Sequence, residues 1–180
     1  MIETEKKYRL HHSDREGIIS RLKEFGAEDR GTEFEENTIY GGGVLDEKNA
    51  VLRVRSVGGR SILTYKRRLA SQSGFKEQIE YESEFSDERA VREILYALGF
   101  KPRLVYEKRR HTWIFRSVEV VLDELPFGDY MEIEGTIIGI TEAEMLLEID
   151  DLEIESETYP RLTSRLGTVN NGVSESRFTK

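Results

Sequence analysis

The chain has 180 residues, 37% of them hydrophobic, and carries a formal net charge of −8 from 27 basic and 35 acidic side chains. That length suits one domain with its own core. The acidic balance speaks against a nucleic-acid coat, and the absence of any run of about 18 apolar residues excludes a helical membrane span. No cysteine is present, so disulfides and thiolate metal sites are excluded, and three histidines (His11, His12, His111) are too few for the usual zinc set. The first residues contain no apolar leader-like stretch, so no secretory signal is expected, and a cytoplasmic location is the expectation.

In chain order, the opening MIETEKKYRL alternates, with Glu3, Glu5, Lys7 and Arg9 in one phase and Ile2, Thr4, Tyr8 and Leu10 mostly in the other. A strand is predicted over 2–9. A helix follows over 13–27, with Ser13 and Glu16 in capping-box spacing, Ile18, Ile19, Leu22 and Phe25 as its apolar stripe, and Gly26 at its end. Period-two segments at 34–40, 51–57, 61–68 and 77–85 read as strands, and Gly58-Gly59 suits a two-residue hairpin. Residues 41–50 and 69–76 read as loops.

A second helix is predicted over 86–100, from Ser86 to Gly99, with Val91, Ile94, Leu95 and Leu98 on its stripe. It resembles the first closely enough to suggest a duplicated unit of strand, helix and strands. Further strands are predicted at 104–115, 118–124 and 129–135. A third helix is predicted from Thr141, where Thr141 and Glu144 again have capping-box spacing, and residues 168–180 read as a polar tail after a domain spanning 1–167. About eight mostly antiparallel strands and three helices make an α+β fold, with the strands closing into a barrel. Tyr8, Tyr40 and Trp113 are expected to pack, and the histidines to lie on the surface.

The charges are sorted by strand. VLRVRSV and SILTYKRR are basic in one phase (Arg53, Arg55; Lys66, Arg68), whereas QIEYESEF and DYMEIEG are acidic (Glu80, Glu82, Glu84; Glu132, Glu134). For any one strand a solvated outer face is the simpler reading. For the set, the opposite phase is Ile, Leu, Val and Tyr throughout, and if those positions pack the helices, the charged phase points into the barrel. Enclosing so many ions costs heavily in desolvation unless they bind something. Clustered Arg and Lys suit an anion rich in oxygen, and clustered carboxylates without His suit Mg²⁺ or Mn²⁺. Together they point to a polyphosphate and its metal.

The E-x-E-x-K of Glu3–Lys7, followed in order by LRVR, LTYK, an E-x-E strand, a helix ending LGF, then YEKRR, VVLDEL and MEIEG, resembles the CYTH superfamily, the triphosphate tunnel metalloenzymes, over residues 2 to about 166. The resemblance implies an eight-stranded antiparallel tunnel. It implies metal ligands at Glu3 and Glu5, opposed by Glu132 and Glu134, with Asp123 helping to hold metal or water. It makes Lys7, Arg53, Arg55, Lys66, Lys108 and Arg110 the phosphate-binding set and Glu3, Glu5, Lys7 and Asp123 the catalytic residues. Arg9, Arg68, Glu80 and Glu82 are further expected lining residues. The family's late K/R-S-Y segment stands here as Glu157-Thr158-Tyr159, without its basic residue, for which Arg161 is a substitute by position.

The implied activity is metal-dependent hydrolysis of a small-molecule triphosphate. The alternatives are a class IV-type adenylate cyclase and a non-catalytic polyphosphate-binding module. No membrane partner is expected, nucleic acid is disfavoured, and a homodimer is compatible with the sequence.

Overall fold

A computed structural model of the protein describes residues 2–69 and 76–179; the side chains of Ile2, Glu3, His12, Arg68, Lys76 and Glu77 lie outside the described ones. The first half runs β1 (Ile2–Leu10), α1 (His12–Glu24), β2 (Glu28–Gly41), the short α2 (Val44–Glu47), β3 (Ala50–Val57) and β4 (Arg60–Arg68). The second half repeats the plan with β5 (Lys76–Phe85), α3 (Glu88–Ala97), β6 (Lys101–Phe115), β7 (Val118–Leu125) and β8 (Gly128–Glu134). It is followed by α4 (Ile137–Leu147), α5 (Tyr159–Leu166) and a hairpin of β9 (Thr168–Asn170) and β10 (Val173–Ser176). Corresponding strands of the two halves meet, β1 against β5 and β2 against β6, as an internal duplication predicts.

The eight strands are antiparallel in the order β2-β3-β4-β5-β1-β8-β7-β6, and β6 pairs in turn with β2 from Glu28 to Gly41. The thin place is β1. It pairs with β5 only through Ile2–Glu5 and with β8 only through Glu5–Leu10. The second half of its β5-facing edge is covered by a single extended segment, through Arg9 N–H to the Glu153 carbonyl and Glu155 N–H to the Lys7 carbonyl. The sheet is therefore a curled half-barrel with a weak seam, where the sequence implied a fully closed barrel.

The apolar phase faces outward under the helices, as expected. Ile18 and Leu22 of α1 and Ile140, Ala143 and Leu147 of α4 cover Tyr8, Trp113, Phe115, Val120, Leu122, Met131 and Ile133. Leu95 of α3 covers Val54 and Tyr40. Gly58 and Gly59 turn β3 into β4 with φ of 54° and 77°, left-handed values that favour glycine at both central positions.

Several expected boundaries shift for identifiable reasons. In α1 the capping carboxylate is Asp14, which accepts from the His11 N–H, so Ser13 and Glu16 lie inside the helix. In α3 the cap is Asp87, whose carboxylate accepts from Ala90 N–H, in place of Ser86. Helix α4 begins at Ile137 because Thr136 caps it through Gly139 N–H, and Thr141 instead donates to the Ile137 carbonyl inside the helix. The C-terminal segment, expected as a polar tail, forms the β9–β10 hairpin. β10 runs parallel to β6 at Leu104–Tyr106, and Arg177 pins it through Glu36 and Glu107. The expected loop 69–76 lies largely outside the described residues.

Candidate functional site

Alternation along each strand decides what the concave side of the sheet presents. Across β5, β4, β3 and β2, one row holds Glu82, Thr64, Arg53 and Ile39, and its neighbour holds Glu80, Lys66 and Val51. Across β1, β8 and β7, one row holds Glu5, Glu134 and Glu119, and the next holds Lys7, Glu132 and Val121. These rows enclose a cavity of about 300 Å³ whose wall includes Glu5, Lys7, Arg53, Arg55, Lys66, Glu80, Glu82, Lys108, Arg110, Glu119, Glu132 and Glu134. Ile39, Val51, Tyr106 and the Thr158-Tyr159-Pro160 start of α5 complete it.

The cations are held in place by acids. Arg110 donates to Asp123 from Nε at 2.8 Å and from Nη2 at 2.6 Å, and from Nη2 to Glu132 at 2.7 Å. Glu132 also pairs with Lys7 at 3.0 Å. The Lys7 ammonium lies 3.5 Å from the centre of the Tyr159 ring, a close cation–π contact. Arg53 donates to Thr64 Oγ1, and Lys66 pairs with Glu80. Lys108 is fully enclosed, 3.2 Å from Asp123 and 3.5 Å from Glu35. Burial, with the Arg110 charge next in weight, pushes its ammonium down to about 8.

The acid row behaves differently. Burial first, then the facing Glu5 carboxylate, pushes Glu134 up to about 7, with Glu119 and Glu132 adding to the shift. Among the described residues no three Asp, Glu, His or Cys side chains stand close enough to form a ready metal cage. The donor set still fits a hard divalent cation in its chemistry. It is made of carboxylates only, and a positive charge placed there would relieve the repulsion that Glu134 records.

The expected residues are thus largely brought together, with five exceptions. Asp123 is fully buried behind the wall and absent from the lining, its oxygens accepting from Lys108, Arg110 and the Tyr159 hydroxyl at 2.8 Å. Arg9, expected in the lining, is half exposed and pairs with Glu155 and Glu153 where that segment covers β1. Arg161, the positional substitute for the missing basic residue, is exposed and outside the lining, while Glu157 pairs with Arg165. The side chains of Glu3 and Arg68 lie outside the described residues; the Glu3 backbone pairs with Gln78.

Three residues at or behind the wall carry no role in the sequence reading. Glu119 is read there in phase with Asp123 but is assigned no function. Glu35 is half of an adjacent acid pair, so its phase is ambiguous in a strand read only from residue 34. Tyr159 belongs to a helix that was not predicted.

A model of the CYTH domain matches residues 1–162. A Methanocaldococcus jannaschii protein named as a candidate adenylate cyclase is 30% identical over 152 residues, 82% of this chain and 85% of that one. A Pyrococcus horikoshii protein of known structure superposes with a TM-score of 0.76 at 27% identity, over 89% of this chain and 98% of that one. A Hippeastrum protein, described as a candidate adenylyl cyclase with a dominant triphosphatase activity, superposes with a TM-score of 0.69 over 95% of this chain and 98% of that one. At 18% identity that last likeness speaks to the fold alone. With its charged cavity on the concave side of an eight-stranded antiparallel sheet and the family model spanning nine-tenths of its length, the chain belongs to the CYTH domain family.

Proposed function

We propose that this protein is a divalent-metal-dependent enzyme that hydrolyses the terminal phosphate of a small-molecule triphosphate inside the curled sheet. The observation that carries the reading is the pairing, within one cavity, of six cations (Lys7, Arg53, Arg55, Lys66, Lys108, Arg110) with a row of carboxylates that includes Glu134, a group pushed up to about 7. The Hippeastrum neighbour, alike in fold, is described as having a dominant triphosphatase activity.

Arg53, Arg55 and Lys66, on the β3–β4 side, bind the phosphate chain from one flank. Lys7, Lys108 and Arg110 bind it from the other and offset the charge that develops on transferred and leaving oxygens. Asp123 and Glu132 fix the Arg110 fork, so its geometry is set before substrate arrives. Glu5, Glu119 and Glu134 are the residues that would hold Mg²⁺ or Mn²⁺, joined by Glu3 on the strength of the E-x-E-x-K resemblance. Such an ion supplies charge neutralisation and a more acidic water. The six cations hold phosphate oxygens away from these acids, and binding an anion draws the Lys108 proton more firmly onto Nζ.

A second reading is cyclase activity, favoured by the naming of the Methanocaldococcus relative. The same wall would then bind ATP, and the products would be cyclic AMP and pyrophosphate. Product analysis with tripolyphosphate, ATP and thiamine triphosphate, each with Mg²⁺ and with Mn²⁺, separates the two. Orthophosphate release supports the hydrolase, cyclic AMP with pyrophosphate replaces it by the cyclase, and no turnover with retained binding leaves a polyphosphate-binding module.

A further inference from the structure

Behind the cationic wall lies an anion that does not face the cavity. Glu35 sits on β2 between two neighbours, directly across from Lys108 on β6, while Asn37, two residues on, is across from Arg55 on β3. Its carboxylate is only 3% exposed. One oxygen accepts from Asn37 Nδ2 at 3.2 Å and stands 3.5 Å from Lys108 Nζ and 3.6 Å from Arg55 Nε. We propose that Glu35 is a positioning residue of the triphosphate site: a buried anion that sets Arg55 and Lys108 in one arrangement for the phosphate chain. The proposal rests on the functional reading above and adds a residue that itself touches no substrate.

The geometry argues for positioning over simple structural pairing. A stabilising ion pair saturates its donors, whereas the Arg55 Nε donor is buried without a hydrogen bond, as is the Asn37 Oδ1 acceptor beside it. Glu35 therefore acts on Arg55 through charge at a distance beyond hydrogen bonding, which fixes the guanidinium and leaves its donors for an anion. Lys108 is likewise suspended between two buried acids, Glu35 on one strand and Asp123 on another. Burial alone would push the Glu35 carboxyl up. The charges of Lys108, Arg110, Arg55 and Arg53 outweigh burial and hold it ionised, far below the usual carboxylate range.

The test is Glu35→Gln beside Glu35→Asp. With tripolyphosphate and Mg²⁺, Glu35→Gln should lower kcat by about tenfold or more while KM stays level or falls, because deleting an anion beside the cations favours ground-state phosphate binding while their arrangement for the transition state is lost. Glu35→Asp keeps the charge and should recover part of kcat. In the substrate-free protein, the ¹⁵N resonances of Arg55 Nε and Lys108 Nζ should shift or broaden in Glu35→Gln. Wild-type kcat in Glu35→Gln, a rise in KM alone, or unchanged Arg55 and Lys108 resonances would each overturn the proposal. If Glu35→Gln does not fold, Glu35→Asp decides on the same readouts, an intermediate kcat supporting the role and a wild-type kcat refuting it. If the wild type turns over no triphosphate, the functional reading falls, and the substrate-free resonances alone decide the role of Glu35.

Discussion

The two flanks of the cavity solve opposite electrostatic problems. On the cationic flank the charges are matched from behind: Asp123 takes Arg110 in a two-point grip, and Glu35 sits between Lys108 and Arg55. On the acidic flank, Glu5, Glu134 and Glu119 stand side by side on three neighbouring strands, and the result is a carboxyl pushed up to about 7. A buried anion behind a cation keeps that cation charged and still. Carboxylates in a row repel one another, and on the proposed reading a divalent cation adds to the charge that Lys7 and Lys66 already bring to them. On the proposed reading, one flank is built in advance for an anion and the other is completed by a cation.

The largest effect should come from removing that cation. With excess chelator, turnover of any triphosphate should fall to background, and Mg²⁺ or Mn²⁺ should restore it; full turnover in chelator would erase the assigned role of the acidic flank. Glu5→Gln keeps the shape and removes one charge from the row, and should lower kcat by about a hundredfold or more with the fold intact, as judged by circular dichroism. A Glu5→Gln protein with wild-type kcat would make the two flanks functionally alike and break the comparison.

On the cationic flank the loss should be smaller and should appear in binding. Arg53→Ala removes a charged donor, an interaction worth about 1.5–3 kcal/mol, so tripolyphosphate affinity measured calorimetrically should weaken by about ten- to a hundredfold. The stabilisation that tripolyphosphate gives the wild type in thermal melts should shrink with it, as mass action requires. Unchanged affinity would mean that phosphate does not lie against β3.

How much of this contrast was legible in the sequence depends on what strand alternation can convey. It conveys the side of the sheet, and so Arg53, Arg55, Lys66, Glu132 and Glu134 were assigned to the concave face correctly. It does not convey depth. Asp123 is in phase with Glu119, but one is sealed behind Arg110 and the other lines the cavity, because the sheet curls and its rows lie at different distances from the opening. Glu35 was lost for a related reason, since two successive acids leave the phase open and only pairing with β3 and β6 settles it. The small C-terminal elements failed differently. Helix α5 is a single run of eight residues, and β9 and β10 are three and four residues long. Elements so short are stabilised by what they dock on, here β6 and the Glu36–Glu107 pair under Arg177, and not by local pattern.

The smallest expected effect is also the most direct probe of the acidic flank. The Glu134 carboxyl is raised from its ordinary 4.5 to about 7 in the folded protein. The native state therefore holds this proton more tightly than the unfolded chain does. The resulting stabilisation is fully present below about pH 4.5 and is lost as pH rises through about 7. A shift of that size corresponds nominally to about 3 kcal/mol, which solvent screening of a partly exposed group reduces to about 1–2 kcal/mol. Other acids, Glu35 and Glu88 among them, are held low and pull the overall curve the opposite way at acid pH, so the wild type alone cannot isolate the contribution. The difference between wild type and Glu134→Gln can. In metal-free buffer, denaturant melts should show the variant gaining stability relative to wild type between about pH 5 and 7.5, then holding that gain. Saturating Mg²⁺ should remove most of the difference, because the ion stabilises the ionised carboxylate in the wild type and finds one ligand fewer in the variant. A pH-independent difference would mean that Glu134 titrates as an ordinary surface acid, and the acidic flank would then need no cation to relieve it.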